Sequence, residues 1–246
     1  IHCMFEDSKI DAIICARGGY GANRVLPLLD YGIIAENPKI FVGYSDITAF
    51  LTSITQKTNL VTFHGPMLTT YKESWIEYNY GLMQRVLFGE KFIKLFSPND
   101  LEPKILKEGK AIGPLWGGNM CLLTNRLGSA EELNTNGSIL FLEDIDEYLY
   151  SFERMLVQMR NARMFDNIKG LIFGELKDMK DQEIKFGRNT DEIILDICGD
   201  LNIPIISNFP CGHGKFQSTL PISVTTEIDT TNKEAMVTII DNAVEI

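Results

Sequence analysis

Short apolar runs and helical patterns alternate along residues 10–90, and this alternation constrains the fold more than any other feature of the chain. The runs IDAIICA, KIFVGY and LVTFHG have the length and composition of buried strands, and helical patterns such as DITAFLTSITQK separate them. Such alternation indicates βαβ units and a mainly parallel, Rossmann-like sheet with helices. Because sheets of this kind bind ligands at the carboxyl ends of their strands, functional residues are expected where these runs stop.

The alternation of strand and helix patterns stops in residues 91–111. This segment carries two prolines and mixed charge, which indicates a crossover between two domains. We place an N-terminal α/β domain at residues 1–90 and a C-terminal domain at residues 112–246. The second half mixes strand patterns such as SILFLED and IPIISNF with helical ones and ends in two further strand patterns. The expected fold class is α/β, with a smaller, β-rich α+β domain after the parallel one.

Charge and cysteine content exclude several classes of protein. A net charge of −10 without a run of Lys or Arg predicts that nucleic acid is not a partner. The five cysteines are scattered without a C-x-x-C pair, which predicts neither a zinc site nor a disulfide framework and favours a reducing compartment. No apolar stretch approaches the ~20 residues of a membrane span, and no leader pattern is present, so we expect a cytoplasmic protein without a membrane partner.

A serine occupies the turn between a predicted strand and a predicted helix in KIFVGYSDIT. The strand stops at Gly43, and Ser45 stands directly before the helical pattern. Backbone N–H groups at such a turn can hold the oxyanion that forms when a hydroxyl attacks a carbonyl. The turn therefore predicts a hydrolase with Ser45 as nucleophile. GYSDIT lacks the second glycine of G-x-S-x-G, so we infer convergence with the α/β-hydrolases rather than membership.

A serine nucleophile needs a base, usually a histidine that a carboxylate orients. Of the three histidines, His213 is the best candidate, because the flanking glycines of CGHG leave its backbone free and its ring unobstructed. His64, after the run LVTF, is a candidate for substrate binding or for packing against its own turn. His2 lies at the start of the chain.

The orienting carboxylate is also expected at a strand end. In SILFLEDIDE, Glu143 directly follows four apolar residues, whereas the later acids are typical of helix caps or a solvated face. A capping cluster that includes Glu143 is the alternative interpretation. The sequence thus offers Ser45, Glu143 and His213 as a candidate triad, for which no metal or cofactor is needed.

The glycine-rich segment RGGYG (residues 17–21) follows the strand pattern IDAIICA and has two functional interpretations. As an oxyanion loop, the N–H of Gly18 or Gly19 would act together with the N–H of Asp46, the residue after the nucleophile. As a phosphate loop, it would hold an anion at the start of the next helix, although its spacing matches neither G-x-G-x-x-G nor a P-loop. A simple glycine turn is the third possibility.

Several motifs together resemble the LD-carboxypeptidase family of serine peptidases over nearly the whole chain. They are, in chain order, ICARGGYGANRVLPLLDY, NPKIFVGYSDITAF, TFHGP, GPLWGGN, FLEDIDEYLYSFERML and CGHG. The resemblance implies removal of the terminal D-alanine from the tetrapeptide stem of muropeptides during cytoplasmic peptidoglycan recycling. It also implies a parallel-sheet N-terminal domain with the nucleophile and a β-rich C-terminal domain with the other two triad members.

The same resemblance assigns roles to single residues. It implies Ser45 as nucleophile, Glu143 as the carboxylate and His213 as the base, with the backbone N–H groups of Gly19 and Asp46 as oxyanion donors. It further implies a homodimer, and a first strand and helix upstream of Ile1.

A carboxypeptidase of this kind takes a small peptide substrate and has to recognise its free carboxylate. Arg17 is our candidate, because a guanidinium can bind a carboxylate with two hydrogen bonds, and Arg24 and Lys215 are alternatives. A rival within the family is a self-immunity hydrolase that cleaves the amide between an aminoacyl or peptidyl group and a nucleotide, with Trp116 as the platform for the base. A non-catalytic nucleotide-binding module that uses RGGYG, or an inactive scaffold, is the alternative from another class.

Overall fold

Two β-sheets with helices packed on them make up this computed structural model, which describes residues 1–73, 76–98, 100–232 and 236–245. The strands are β1 (Ala12–Ile14), β2 (Ile40–Gly43), β3 (Phe63–His64), β4 (Ile93–Leu95), β5 (Lys104–Lys107), β6 (Lys110–Asn119), β7 (Ile139–Ile145), β8 (Gly170–Lys177), β9 (Ile205–Gly212), β10 (Leu220–Pro221), β11 (Thr225–Asp229) and β12 (Met236–Ile239). The helices are α1 (His2–Glu6), α2 (Ala22–Val25), α3 (Tyr31–Glu36), α4 (Thr48–Thr58), α5 (Leu68–Glu73), α6 (Glu77–Leu87), α7 (Met120–Asn125), α8 (Leu149–Asn161) and α9 (Thr190–Cys198), and short 3₁₀ turns span Leu26–Leu28 and Ser45–Ile47.

The first sheet has the order β1-β2-β3-β10, in which β1, β2 and β3 are parallel. The strands that the apolar runs predict between residues 10 and 64 are therefore present, and their carboxyl ends lie at one edge of the sheet. β10 pairs antiparallel with β3, so the chain returns to this sheet after it has completed most of the second one.

The second sheet has eight strands in the order β4-β12-β11-β6-β7-β8-β9-β5. Its centre, β6 to β9, is parallel, and antiparallel strands extend it on both sides. The mixed α/β class with a mainly parallel centre is confirmed. This sheet is the larger of the two, and β4 and β5, from the segment 91–111, also join it.

Alternation along β7 determines which side chains face the first sheet. Ile139 and Phe141 belong to the apolar core that also contains the strands of the first sheet, whereas Leu140 and Leu142 belong to the core under α8 and α9. Since successive side chains of a strand point to opposite faces, the next residue, Glu143, faces the first sheet. The alternation of side chains along β7 therefore directs this carboxylate towards the edge at which Ser45 lies.

No helix in the described part of the chain is both long and apolar enough to cross a membrane.

Candidate active site

The turn that carries Ser45 has a strained backbone. β2 ends at Gly43, and Ser45 has a φ of 63°, in the left-handed region that non-glycine residues rarely adopt. A Cβ on Gly43 would lie 2.6 Å from Cγ2 of Ile47, so only glycine allows the chain to turn this tightly into the 3₁₀ turn and α4. Such a turn holds the serine hydroxyl away from the strand, as nucleophile turns do.

The RGGYG segment lies directly against this turn. A Cβ on Gly18 would lie 3.0 Å from the Ser45 hydroxyl oxygen and 3.5 Å from the backbone nitrogen of Asp46. The segment therefore has to be glycine-rich because its backbone approaches the nucleophile closely. The assignment of Gly19 and Asp46 as the oxyanion donors, with Gly18 as the alternative to Gly19, stays a prediction.

The carboxylate of Asp46 ties the two loops together. It is only 7% exposed, and its Oδ2 accepts a hydrogen bond of 3.1 Å from the backbone N–H of Ala22, the first residue of α2. This places a negative group at the helix start where a phosphate loop would hold its anion. The contact therefore argues against RGGYG as a phosphate loop.

Glu143 lies fully buried where β7 approaches the glycines of neighbouring strands. A Cβ on Gly174 would lie 3.1 Å from the Glu143 Cβ, and a Cβ on Gly212 would lie 2.6 Å from its Oε2. Gly212 also has a φ of 97°. Both glycines therefore make room for the carboxylate, and Gly212 is also required by its backbone conformation.

His213 follows β9 and reaches this carboxylate. Its Nδ1 lies 2.7 Å from Oε2 of Glu143, and its ring meets the Tyr44 ring edge to face with 5.0 Å between centroids. A Cβ on Gly214 would overlap the carboxylate of Glu175. Close packing against Glu175 thus requires the glycine at 214, whereas Gly212 has the expected backbone freedom as well as a packing role.

The pairing sets the protonation of both partners. Burial alone would raise the pKa of Glu143, but the hydrogen bond and the charge interaction with His213 lower it well below its usual range. Burial alone would lower the pKa of His213, and the Glu143 carboxylate raises it instead. An anionic carboxylate only accepts, so in the neutral form of His213 Nδ1 carries the proton and Nε2 is left with a free lone pair.

A cleft of about 370 Å³ brings most of these groups together. It is lined by Arg17, Gly18, Gly19, Tyr44, Ser45, Met67, Thr69 and His213. Ser45 and His213 share the cleft, although no hydrogen bond joins them in the described part of the chain. Catalytic hydrogen bonds often tighten only in the substrate complex.

Three lining residues were not singled out in the sequence. Tyr44 adjoins the nucleophile, and Met67 and Thr69 follow the carboxyl end of β3. The N–H of Thr69 donates to the Ala16 carbonyl at 3.0 Å, which holds this segment beside RGGYG. The rule that ligands bind at carboxyl ends of parallel strands could have indicated the segment, but no residue type in it suggests chemistry.

Two predicted substrate-binding residues lie away from the cleft. His64 is 2% exposed and faces Glu143, and Trp116 is half-buried in β6, where it packs against both apolar cores.

Of the candidates for carboxylate recognition, Lys215 pairs with Asp100 at 3.3 Å. Arg24 is exposed outside the cleft, and Arg17 lines it.

Asp144, the residue after Glu143, has a structural role. Its carboxylate accepts hydrogen bonds of 3.0 Å from the Asn119 side chain and from the backbone N–H of Cys121, at the start of α7. Burial, and then the charge of Glu143, raise the pKa of Asp144 to about 7. The acid therefore caps α7, whereas the sequence interpretation placed the cap on the helix after β7.

Comparisons with known proteins identify relatives of this chain. Residues 1–65 match the LD-carboxypeptidase N-terminal domain, and residues 112–228 match the LD-carboxypeptidase C-terminal domain. The chain is 34% identical to a probable murein peptide carboxypeptidase of Bacillus subtilis, over 96% of this chain and 74% of the relative. It is 33% identical to the microcin C7 self-immunity protein MccF of Escherichia coli, over 96% of this chain and 76% of the relative.

Solved structures that superpose on this chain include the same two kinds of protein. MccF in complex with glutamyl sulfamoyl guanosine superposes with a TM-score of 0.89 at 27% identity, covering 99% of this chain and 80% of the other. A muramoyltetrapeptide carboxypeptidase from Oxalobacter formigenes superposes with a TM-score of 0.85 at 26% identity, covering 97% and 81%.

Proposed function

The chain belongs to the LD-carboxypeptidase family, and from this premise we propose that it is a serine hydrolase that removes the terminal D-alanine from muropeptide tetrapeptide stems. One observation carries the proposal: Ser45 and His213 line one cleft, and His213 is hydrogen-bonded to buried Glu143. The proposal includes a role in peptidoglycan recycling in the cytoplasm and a homodimeric assembly.

The proposed mechanism is acyl transfer. Nε2 of His213 takes the proton of the Ser45 hydroxyl as the oxygen attacks the amide carbonyl, and the backbone N–H groups of Gly19 and Asp46 hold the oxyanion. His213 then protonates the leaving amine of D-alanine and later activates the water that hydrolyses the acyl-enzyme. Glu143 keeps the proton on Nδ1 and stabilises the imidazolium.

Arg17 is the proposed receptor for the terminal carboxylate. Arg17 lines the cleft, and within the described residues the hydrogen bond of its guanidinium is from Nε to the carbonyl of the adjacent Gly18, at 3.3 Å, with no carboxylate paired to it. A free guanidinium beside the nucleophile can bind a substrate carboxylate with two hydrogen bonds. This feature favours a carboxypeptidase over a hydrolase of neutral amides.

Arg17→Met is therefore expected to raise KM for the tetrapeptide about tenfold, through loss of one charge-assisted contact, with little change in kcat. A tetrapeptide that ends in D-alaninamide should give the same KM with wild type and variant. Arg24→Met is the matched control and should leave both parameters unchanged. If Arg17→Met weakened the amide and the acid equally, Arg17 would not be the carboxylate receptor.

A second candidate function is hydrolysis of an aminoacyl-nucleotide amide. The observation that favours it is the similarity to MccF, at 33% identity against 34% for the murein peptide carboxypeptidase, each over 96% of this chain. The aromatic platform that we predicted for the base, Trp116, packs against the two cores and does not line the cleft, so a base would have to stack elsewhere.

The deciding experiment compares two substrates with a chelator present. We expect D-alanine release from muramyl tetrapeptide with a kcat/KM at least about 100-fold above that for aspartyl sulfamoyl adenosine. The reverse preference would replace the proposal with the second candidate. If folded protein hydrolysed neither, both hydrolase proposals would be wrong, and tight nucleotide binding would then indicate the non-catalytic module.

A further inference from the structure

His64 is a buried histidine near the candidate triad. It lies in β3, opposite Gly43 of β2, and its side chain is 2% exposed. Its ring stands 5.1 Å from that of Phe141 and 6.0 Å from that of Tyr44. Both ring nitrogens lack a hydrogen bond in the described part of the chain, and leaving a buried polar atom unpaired costs stability.

The second oxygen of Glu143 is the group that faces this ring. Oε2 of Glu143 lies 2.7 Å from His213, whereas Oε1 has no hydrogen bond among the described residues and lies 3.8 Å from Nε2 of His64. The carboxylate therefore stands between two imidazoles, one on each oxygen. At 3.8 Å the second contact is longer than a hydrogen bond, and the two groups interact electrostatically.

We propose that His64 is a positioning residue, whose Nε2–H faces Oε1 of Glu143 and holds the carboxylate plane so that Oε2 remains directed at Nδ1 of His213. A buried anion with one anchored oxygen can rotate about its last carbon–carbon bond, and a second donor restrains that rotation. Because His64 belongs to the sheet that carries Ser45, the contact also links that sheet to the strand of Glu143. The inference rests on the proposed use of Glu143 through His213.

Two substitutions distinguish the contribution of the N–H group to kcat from that of the ring shape. His64→Phe keeps a planar ring and removes both nitrogens, and we expect kcat to fall about tenfold with KM nearly unchanged. His64→Gln places an amide N–H where Nε2 stood and should recover most of the loss. Phe141→Leu disturbs the packing around His64 without removing a polar group, so it measures the packing contribution. Equal impairment in the Phe and Gln variants would overturn the proposal.

A double-mutant cycle tests whether His64 acts through Glu143. In a Glu143→Gln background, His64→Phe should lower kcat by less than about twofold, because the carboxylate it holds is already gone. If His64→Phe lowered kcat as much in that background as in wild type, the effect would be one of packing, and the proposal would be wrong.

An NMR measurement distinguishes failure of this inference from failure of the proposed function. With only three histidines in the chain, the Nδ1–H proton of His213 can be assigned by single substitutions in protein labelled at histidine. We expect this proton to exchange with water at least about fivefold faster in His64→Phe, and at the wild-type rate in His64→Gln. Unchanged exchange in His64→Phe would overturn the inference, even if neither substrate is hydrolysed.

Discussion

Ser45→Ala is expected to lower kcat by about 10⁴-fold or more, because the covalent route is lost and only binding and the oxyanion donors remain. The variant should fold, since alanine is smaller than serine and the turn is held from both sides by Gly43 and by the capping contact of Asp46. Substrate affinity should change little. The measurement is D-alanine release under single-turnover conditions, together with mass spectrometry of the trapped acyl-enzyme in wild type.

The double variant gives the sharper test. Residues that act as one unit are strongly non-additive, so Ser45→Ala combined with His213→Ala should be about as slow as Ser45→Ala alone. Ser151→Ala, on α8 away from the cleft, is the matched control and should retain full activity. Losses that multiplied in the double variant would show that Ser45 and His213 do not act on the same proton, and the acyl-transfer mechanism would fail.

Local sequence patterns predicted the parts of the site that lie within single elements. The strand-to-helix turn at Ser45 follows from hydrophobic periodicity, because a buried strand that stops at a polar residue presents that residue at the sheet edge. Glu143 was expected at the end of its strand, but β7 continues to Ile145, so this carboxylate lies inside the strand. The parallel order of β1, β2 and β3 follows from the same alternation. These features depend on residues that are adjacent in the chain, so they can be predicted from local sequence patterns.

Contacts between distant segments could not be predicted in this way. The carboxylate of Glu175 fills the space beside Gly214, that of Asp46 caps α2, and His64 faces Glu143. The contacts of Glu175 and His64 depend on how β3, β7, β8 and β9 lie together at one edge, and the contact of Asp46 depends on how the turn after β2 packs against α2. The periodicity of no single strand specifies these arrangements. The glycines of RGGYG and CGHG were accordingly recognised as special. Backbone freedom, the reason assigned to CGHG, applies to Gly212, whereas close packing requires Gly214.

The return of β10 to the first sheet has a consequence for the candidate site. Leu220 of β10 pairs with His64 of β3, so the chain that carries His213 is attached to both sheets within a few residues. The distance between base and nucleophile is therefore fixed by strand pairing as well as by the core between the sheets. A site assembled from two sheets gains its precision from such cross-connections.

Glu143→Gln is expected to lower kcat by about 10³- to 10⁴-fold with the fold retained, since glutamine has nearly the same shape. A glutamine amide can donate to Nδ1, which would favour the tautomer with the proton on Nε2 and leave only a small fraction of His213 able to act as the base for Ser45. Glu90→Gln, which removes an exposed partner of Arg85, is the matched control and should keep wild-type activity.

The pH dependence of the residual activity of Glu143→Gln tests the same pairing independently. In wild type the Glu143 carboxylate raises the pKa of His213, and the base works only when it is neutral, so kcat/KM falls as pH drops through that pKa. Glutamine removes the raising charge while burial still lowers the pKa, so the acid limb of the profile should move to lower pH. The fractional loss of activity should therefore be smaller in acid than at neutral pH. An acid limb that stayed in place would mean that the ionisation in the profile does not belong to His213, and the triad assignment would fail even if kcat fell as expected.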